Sequence, residues 1–119
     1  MAFLFSRNKL DGPAAEDLAA RYLQQHGLRL IDRNYRCRGG EIDLIMQTED
    51  TLVFIEVRLR RSQRFGGAAA SVDATKQARV IHAARNYLGE RDIPCRFDVL
   101  LMDDIDPARI EWIRDAFGE

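Results

Sequence analysis

Residues 40–58 read Gly40-Glu41-Ile42-Asp43-Leu44-Ile45-Met46-Gln47-Thr48-Glu49-Asp50-Thr51-Leu52-Val53-Phe54-Ile55-Glu56-Val57-Arg58. Two apolar runs flank a polar segment, Gln47 to Thr51, of hairpin-loop size. Strands of about 41–47 and 52–60 are expected on either side. A strand sends alternate side chains to opposite faces, so Glu56 and Arg58 share one face and Val53, Ile55, Val57 and Leu59 fill the other. A hairpin centred between Glu49 and Asp50 sets Asp43 opposite Glu56, with Cα atoms roughly 4.5–5.5 Å apart. Like charges directly opposite destabilise a hairpin by about 0.2–1 kcal/mol. A divalent cation held between them reverses that effect, which makes the pair a candidate metal site. The competing reading is a solvated polar face, since carboxylates are mostly exposed. The surrounding Ile, Leu, Val and Phe residues argue against it, because a carboxylate among apolar residues is functional or neutralised by a partner.

The rest of the chain extends the pattern outward. Residues 1–11 read as a loose leader, and 12–119 as a single domain. Gly12-Pro13 opens a helix, with Pro13 suited to the first helical position. Ala15, Leu18, Ala19, Tyr22 and Leu23 form its core stripe, and Gly27 caps its end. Glu16 sits in the first turn on the flank of that stripe, where a helix dipole also favours an acid. Residues 28–36 read as a strand, and Cys37-Arg38-Gly39-Gly40 as the turn before the hairpin. Residues 62–71 are loop-like by composition. A second helix is expected over 73–88, with a stripe of Ala74, Gln77, Ala78, Ile81, Ala84, Tyr87 and Leu88. Strands follow over 95–102 and 109–114, and Trp112 is expected to pack. The acidic turn at 102–107 lacks the glycine and terminal glutamate of a calcium loop. The order α-β-β-β-α-β-β implies an α/β sandwich with a mixed sheet flanked by helices.

Charge adds a partner. The net charge of −1 conceals an excess of Arg and Lys in residues 1–89 and of Asp and Glu in 90–119. Arg33, Arg36, Arg38, Arg58, Arg60, Arg61 and Arg64 cluster around the hairpin. Basic residues beside a carboxylate site suggest a phosphate-bearing polyanion, against the alternative of a solubilising rim. No apolar run reaches the ~20 residues of a membrane span, and no signal-peptide core precedes the domain, so a cytoplasmic protein is expected. Cys37 and Cys95 follow no metal spacing and read as reduced thiols. His26 near a helix end and His82 on a helix surface suggest no catalytic role.

Several motifs together resemble the YraN-like bacterial family. They are Ala15-Glu16 with Tyr22-Leu23 and Gly27, Arg33-Asn34-Tyr35-Arg36, Gly40-Glu41-Ile42-Asp43-Leu44-Ile45, Phe54-Ile55-Glu56-Val57-Arg58, Lys76, Arg96-Phe97-Asp98-Val99 and Ala116-Phe117. The resemblance covers nearly all of residues 11–118. It implies a restriction-endonuclease-like core, similar to archaeal Holliday-junction resolvases, and a metal-dependent nuclease acting on DNA, with branched DNA as a candidate substrate. By the same resemblance, Asp43, Glu56 and Glu16 would bind Mg²⁺ or Mn²⁺. Arg58 stands where the family pattern has lysine. Arginine stays protonated, so it would stabilise phosphate charge and could not act as a base. Lys76 would approach the site from the second helix or lie exposed upon it. Nucleic acid would contact Arg33, Arg36, Arg38, Arg60, Arg61, Arg64 and Lys76. Resolvase-like enzymes often act as dimers, which makes a homodimer an admissible state. Two rivals stand beside the nuclease: a non-catalytic nucleic-acid-binding module with a degenerate site, and a protein-interaction subunit whose carboxylates are held by arginine salt bridges.

Overall fold

The computed structural model describes residues 12–60, 72–103, 106 and 108–118. Five strands form one sheet in the order β1-β2-β3-β4-β5: Arg29–Cys37, Gly40–Thr48, Thr51–Arg60, Cys95–Asp103 and Ile110–Phe117. Helix α1, Gly12–Gln25, precedes β1, and α2, Ala74–Leu88, links β3 to β4. β3 and β4 run parallel and every other neighbour pair is antiparallel, so the sheet is mixed. A parallel pair needs a long crossover, which α2 supplies. This is the expected α-β-β-β-α-β-β arrangement. The expected leader and the loop at 62–71 lie outside the described residues, except for buried Val72 just after them.

Each face of the sheet buries one helix. Ala15, Ala19, Ala20 and Leu23 of α1 pack on Leu44, Met46, Val53, Ile55, Leu100 and Met102. Val80, Ala83 and Ala84 of α2 pack on the opposite face, on Ile42, Ile45, Leu52, Phe54 and Phe97. β3 and β4 therefore lie apolar on both sides, as central strands do. The α2 stripe differs from the expected one. Val80, Ala83 and Ala84 are buried, whereas Ala74 and Ala78 face out. An alanine burdens neither environment much, so alanines define the stripe poorly. Helix ends follow the sequence. Gly27, at φ 94°, follows α1, and Leu28 N–H donates back to Leu23 O. Asp73 caps α2 by accepting the Lys76 amide at 2.8 Å.

The central hairpin is tighter than expected. Thr48 pairs with Thr51, leaving only Glu49 and Asp50 in the turn, with Glu49 at φ 53°. The register is the expected one: Leu44 opposes Ile55, Ile45 opposes Phe54 and Met46 opposes Val53. β4 and β5 each run a little further than expected, to Asp103 and Phe117.

Gly40 fixes how closely α2 approaches β2. A Cβ there would collide with the carbonyl oxygen of Arg79 and press on Ala83 at 3.1 Å. Backbone cannot yield as a side-chain tip can, so Gly40→Ala should push α2 outward. Overpacking of this kind destabilises by about 1–3 kcal/mol. A fall in the urea midpoint without a change in slope is the expected result.

Candidate metal centre

The site lies where the β2–β3 ladder stops. The last regular pair is Leu44–Ile55, and Asp43 and Glu56 come next. Here carboxylates replace the ladder's carbonyls. Val57 N–H donates to Asp43 Oδ2 at 2.9 Å, and Asp43 N–H points at Glu56 Oε2, a longer contact of 3.4 Å. Asp43 and Glu56 therefore meet as expected, but through carboxylate–amide contacts and not as a ladder pair.

The pairing of β1 with β2 skips one position beside the site. Between the pairs Arg33–Leu44 and Tyr35–Ile42, Asn34 adopts φ 53° opposite Asp43. Asparagine tolerates this left-handed conformation better than most residues. Leu44 packs toward α1, whereas Ile42 packs toward α2, on the same side as Ile45. Strict alternation along β2 thus fails at Asp43.

The two carboxylates have unequal surroundings. Glu56 is fully buried and its Oε1 accepts no hydrogen bond. Lys76 Nζ stands 3.3 Å from that oxygen, an ion pair without hydrogen-bond geometry. Burial, reinforced by the Asp43 charge, pushes the Glu56 carboxyl up to about 7 despite Lys76. Burial also raises the Asp43 carboxyl. The Val57 amide opposes that rise, and Glu16 adds to it.

A cavity of about 400 Å³ opens onto Asp43. Its wall takes Glu16 from α1, Glu41 and Asp43 from β2, Val57, Arg58 and Leu59 from β3, and Lys76 from α2. Residues of both helices, which pack on opposite faces of the sheet, thus border one cavity. Three expected site residues, Glu16, Asp43 and Arg58, therefore line one cavity, and Glu56 lies buried behind it. Lys76 belongs to the site rather than to the exposed helix surface. Glu16 lies just beyond the first turn of α1 rather than within it, and pairs with Arg33 at 3.7 Å.

Glu41 is a site residue that the sequence pattern did not single out. It reaches Lys76 at 3.7 Å through Oε2 and Arg79 at 3.7 Å through Oε1. Its spacing of two from Asp43 was the available signal, since both would share one side of a regular strand.

The expected nucleic-acid contacts are dispersed. Arg33 also pairs with Asp17 at 2.6 Å, and Arg60 with Glu111 at 3.3 Å. Arg36, opposite Glu41 in register, and Arg38 are exposed. Arg61 and Arg64 lie outside the described residues. His26 Nδ1 lies 2.7 Å from Tyr22 O, and His82 Nε2 lies 2.9 Å from Arg38 O, which leaves both in structural contacts. Both cysteines are free thiols. Among the described residues no helix is long and apolar enough to cross a membrane.

Does the donor set fit Mg²⁺ or Mn²⁺? Among the described residues no three His, Cys, Asp or Glu side chains form a ready-made cage. Magnesium, however, is usually bound through one or two carboxylates and keeps several waters. Two adjacent carboxylates, Asp43 on an open cavity and Glu56 carrying a buried oxygen without a hydrogen bond, match that mode. The donors available here are all oxygen, as these hard cations prefer.

Residues 15–102 match the model of the family described as "Uncharacterised protein family UPF0102". A UPF0102 protein of Nitrosomonas europaea is 58% identical over 110 residues, covering 91% of this chain and 93% of that protein. A UPF0102 protein of Cupriavidus metallidurans is 57% identical over 109 residues, covering 89% of this chain and 79% of that protein. One from Ralstonia pickettii is 58% identical over 114 residues, covering 90% and 89%. At that identity and coverage, the chain belongs to the UPF0102 family, the YraN-like family that its motifs resemble.

Proposed function

We propose that this protein is a divalent-cation-dependent nuclease that hydrolyses DNA phosphodiesters on a restriction-endonuclease-like core. One observation carries the reading: the facing pair Asp43 and Glu56 interrupts a strand ladder, and Glu56 Oε1 is buried without a hydrogen bond. A pair that costs the fold stability is well explained by a ligand. Asp43 and Glu56 would hold Mg²⁺ or Mn²⁺, with Glu16 as the nearby third acid. Such an ion, when bound, supplies an activated water and neutralises charge developing on the phosphate.

The chain's own residues supply the rest. Asp43 is oriented by the Val57 amide, and Glu16 by Arg33. Arg58 lines the cavity and offers a permanent positive charge to a phosphate oxygen. Lys76, entering from α2, brings an ammonium within 3.3 Å of Glu56, a lysine supplied by a helix rather than by β3. Exposed Arg36 and Arg38 border the same end of the sheet and would bind backbone phosphates without reading sequence. The approach is steered by charge and sensitive to salt. Branched DNA as the substrate follows from fold analogy.

The absence of a three-acid cage among the described residues favours a second reading, a nucleic-acid-binding module with a degenerate site. Cleavage of junction, flap and single-stranded DNA with Mg²⁺ or Mn²⁺ separates the two. We expect cleavage by the parent, loss of at least about a hundredfold in Glu56→Gln, and retained or raised activity in Arg58→Lys. An inert parent that still binds DNA in EDTA, or unchanged cleavage by Glu56→Gln, would hand the protein to the binding-module reading.

A further inference from the structure

We propose that Lys76 is the resident counter-cation of the Asp43–Glu56 pair, and that Glu41 is the positioning residue to which Lys76 withdraws when a divalent cation enters. The inference rests on the metal reading above.

One ammonium stands between two carboxylates of different depth. Lys76 Nζ is 3.3 Å from Oε1 of fully buried Glu56 and 3.7 Å from Oε2 of Glu41, which is 39% exposed. Its partner oxygen on Glu56 is the atom without a hydrogen bond, so the contact is a charge balance rather than a locked bond. Arg79 holds the other oxygen of Glu41 at 3.7 Å, which restrains that carboxylate.

The backbone of Lys76 is fixed, because its amide is the donor to the Asp73 cap. Only the four-carbon stem needs to move, and it is flexible with three rotatable donors at its tip. A divalent ion on the carboxylate pair repels an ammonium a few ångströms away, most strongly in a buried setting. Glu41 is the nearest acidic acceptor that the geometry offers. Withdrawal leaves the ammonium at the cavity mouth, the side from which a phosphate-bearing strand arrives. The same lysine thus neutralises the metal-free site and meets substrate in the loaded one.

A competitor for the site has a signature that a merely structural residue lacks: its removal strengthens ligand binding. Calorimetry with Mn²⁺ alone, without DNA, reads this directly. We expect Lys76→Met to bind Mn²⁺ about tenfold more tightly than the parent, and Lys76→Gln to shift in the same direction should the methionine variant fold poorly. Glu41→Gln should weaken Mn²⁺ binding in the parent background. In the Lys76→Met background the same change should matter several-fold less, because no ammonium remains to be received. Equal or weaker Mn²⁺ binding by both Lys76 variants overturns the proposal, as does an equal effect of Glu41→Gln in both backgrounds. Absence of Mn²⁺ binding in the parent and in every Lys76 variant removes the metal reading itself, and this inference with it.

Discussion

Metal-free Glu56→Gln should be more stable than the parent at pH 8, by about 3 kcal/mol, while losing its affinity for Mg²⁺ and Mn²⁺. The Glu56 carboxyl, raised to about 7 in the folded chain from an ordinary value of 4.5, is ionised at pH 8 in a buried setting. Every tenfold change in proton affinity between the folded and unfolded chain is worth about 1.36 kcal/mol. Between those two values the folded state binds a proton that the unfolded state does not, so stability falls as pH rises across that window. The destabilisation is complete above about pH 7 and absent below about 4.5. Asp43 and Lys76 face Glu56 directly, and Glu41 lies on the far side of Lys76. Glutamine keeps the shape and removes the charge. Urea unfolding in EDTA at pH 5 and pH 8 should therefore show parent and variant within about 1 kcal/mol at the lower pH and about 3 kcal/mol apart at the higher one. Equal stability at both would show that the buried carboxylate is compensated after all.

Asp98→Ala should have the opposite effect, a loss of about 3–5 kcal/mol, because a buried pair is broken and its partners are left without an acceptor. Asp98 is also fully buried, yet its oxygens are well supplied. Arg96 Nε donates at 3.1 Å, Trp112 Nε1 at 2.9 Å and the Asp115 amide at 2.9 Å. The last two tie β5 to β4 where the register shifts between Phe97 and Val99 and where Asp115 takes φ 52°. Asp98 is thus the polar clamp of an edge strand. Thermal unfolding followed by Trp112 fluorescence reads the loss. A loss under about 1 kcal/mol would mean that the Trp112 and Asp115 donors find water instead.

Asp98 and Glu56 show what a sequence conveys and what it does not. Both stand in apolar runs, and nothing local says that one is saturated with donors and the other is not. Partners of Asp98 come from Trp112 and Asp115, on a strand whose register a bulge determines. The element order and the Asp43–Glu56 register were legible, because period-two patterning and a short polar turn fix a local hairpin. The kink at Asn34 was not, since only pairing with β2 shows why a left-handed residue is needed there. Lys76 reached the site through tertiary packing alone, which places α2 against β2 at Gly40. The basic cluster around the hairpin is divided in the fold between acids of α1, acids of β5 and the surface, for ion pairing depends on contacts that linear spacing does not carry.

The carboxylates that interrupt the β2–β3 ladder bear differently on descent within the family. Asp43 accepts the Val57 amide and so serves the sheet whether or not any chemistry occurs. Selection for folding alone would retain it, and its presence in a relative is poor evidence of activity. Glu56 accepts only the long Asp43 amide contact and contributes a buried, under-supplied charge, so an inactive lineage gains little by keeping it. Drift toward glutamine or an aliphatic residue at position 56, with Asp43 intact, is the mark by which a lineage that has abandoned the reaction would be known.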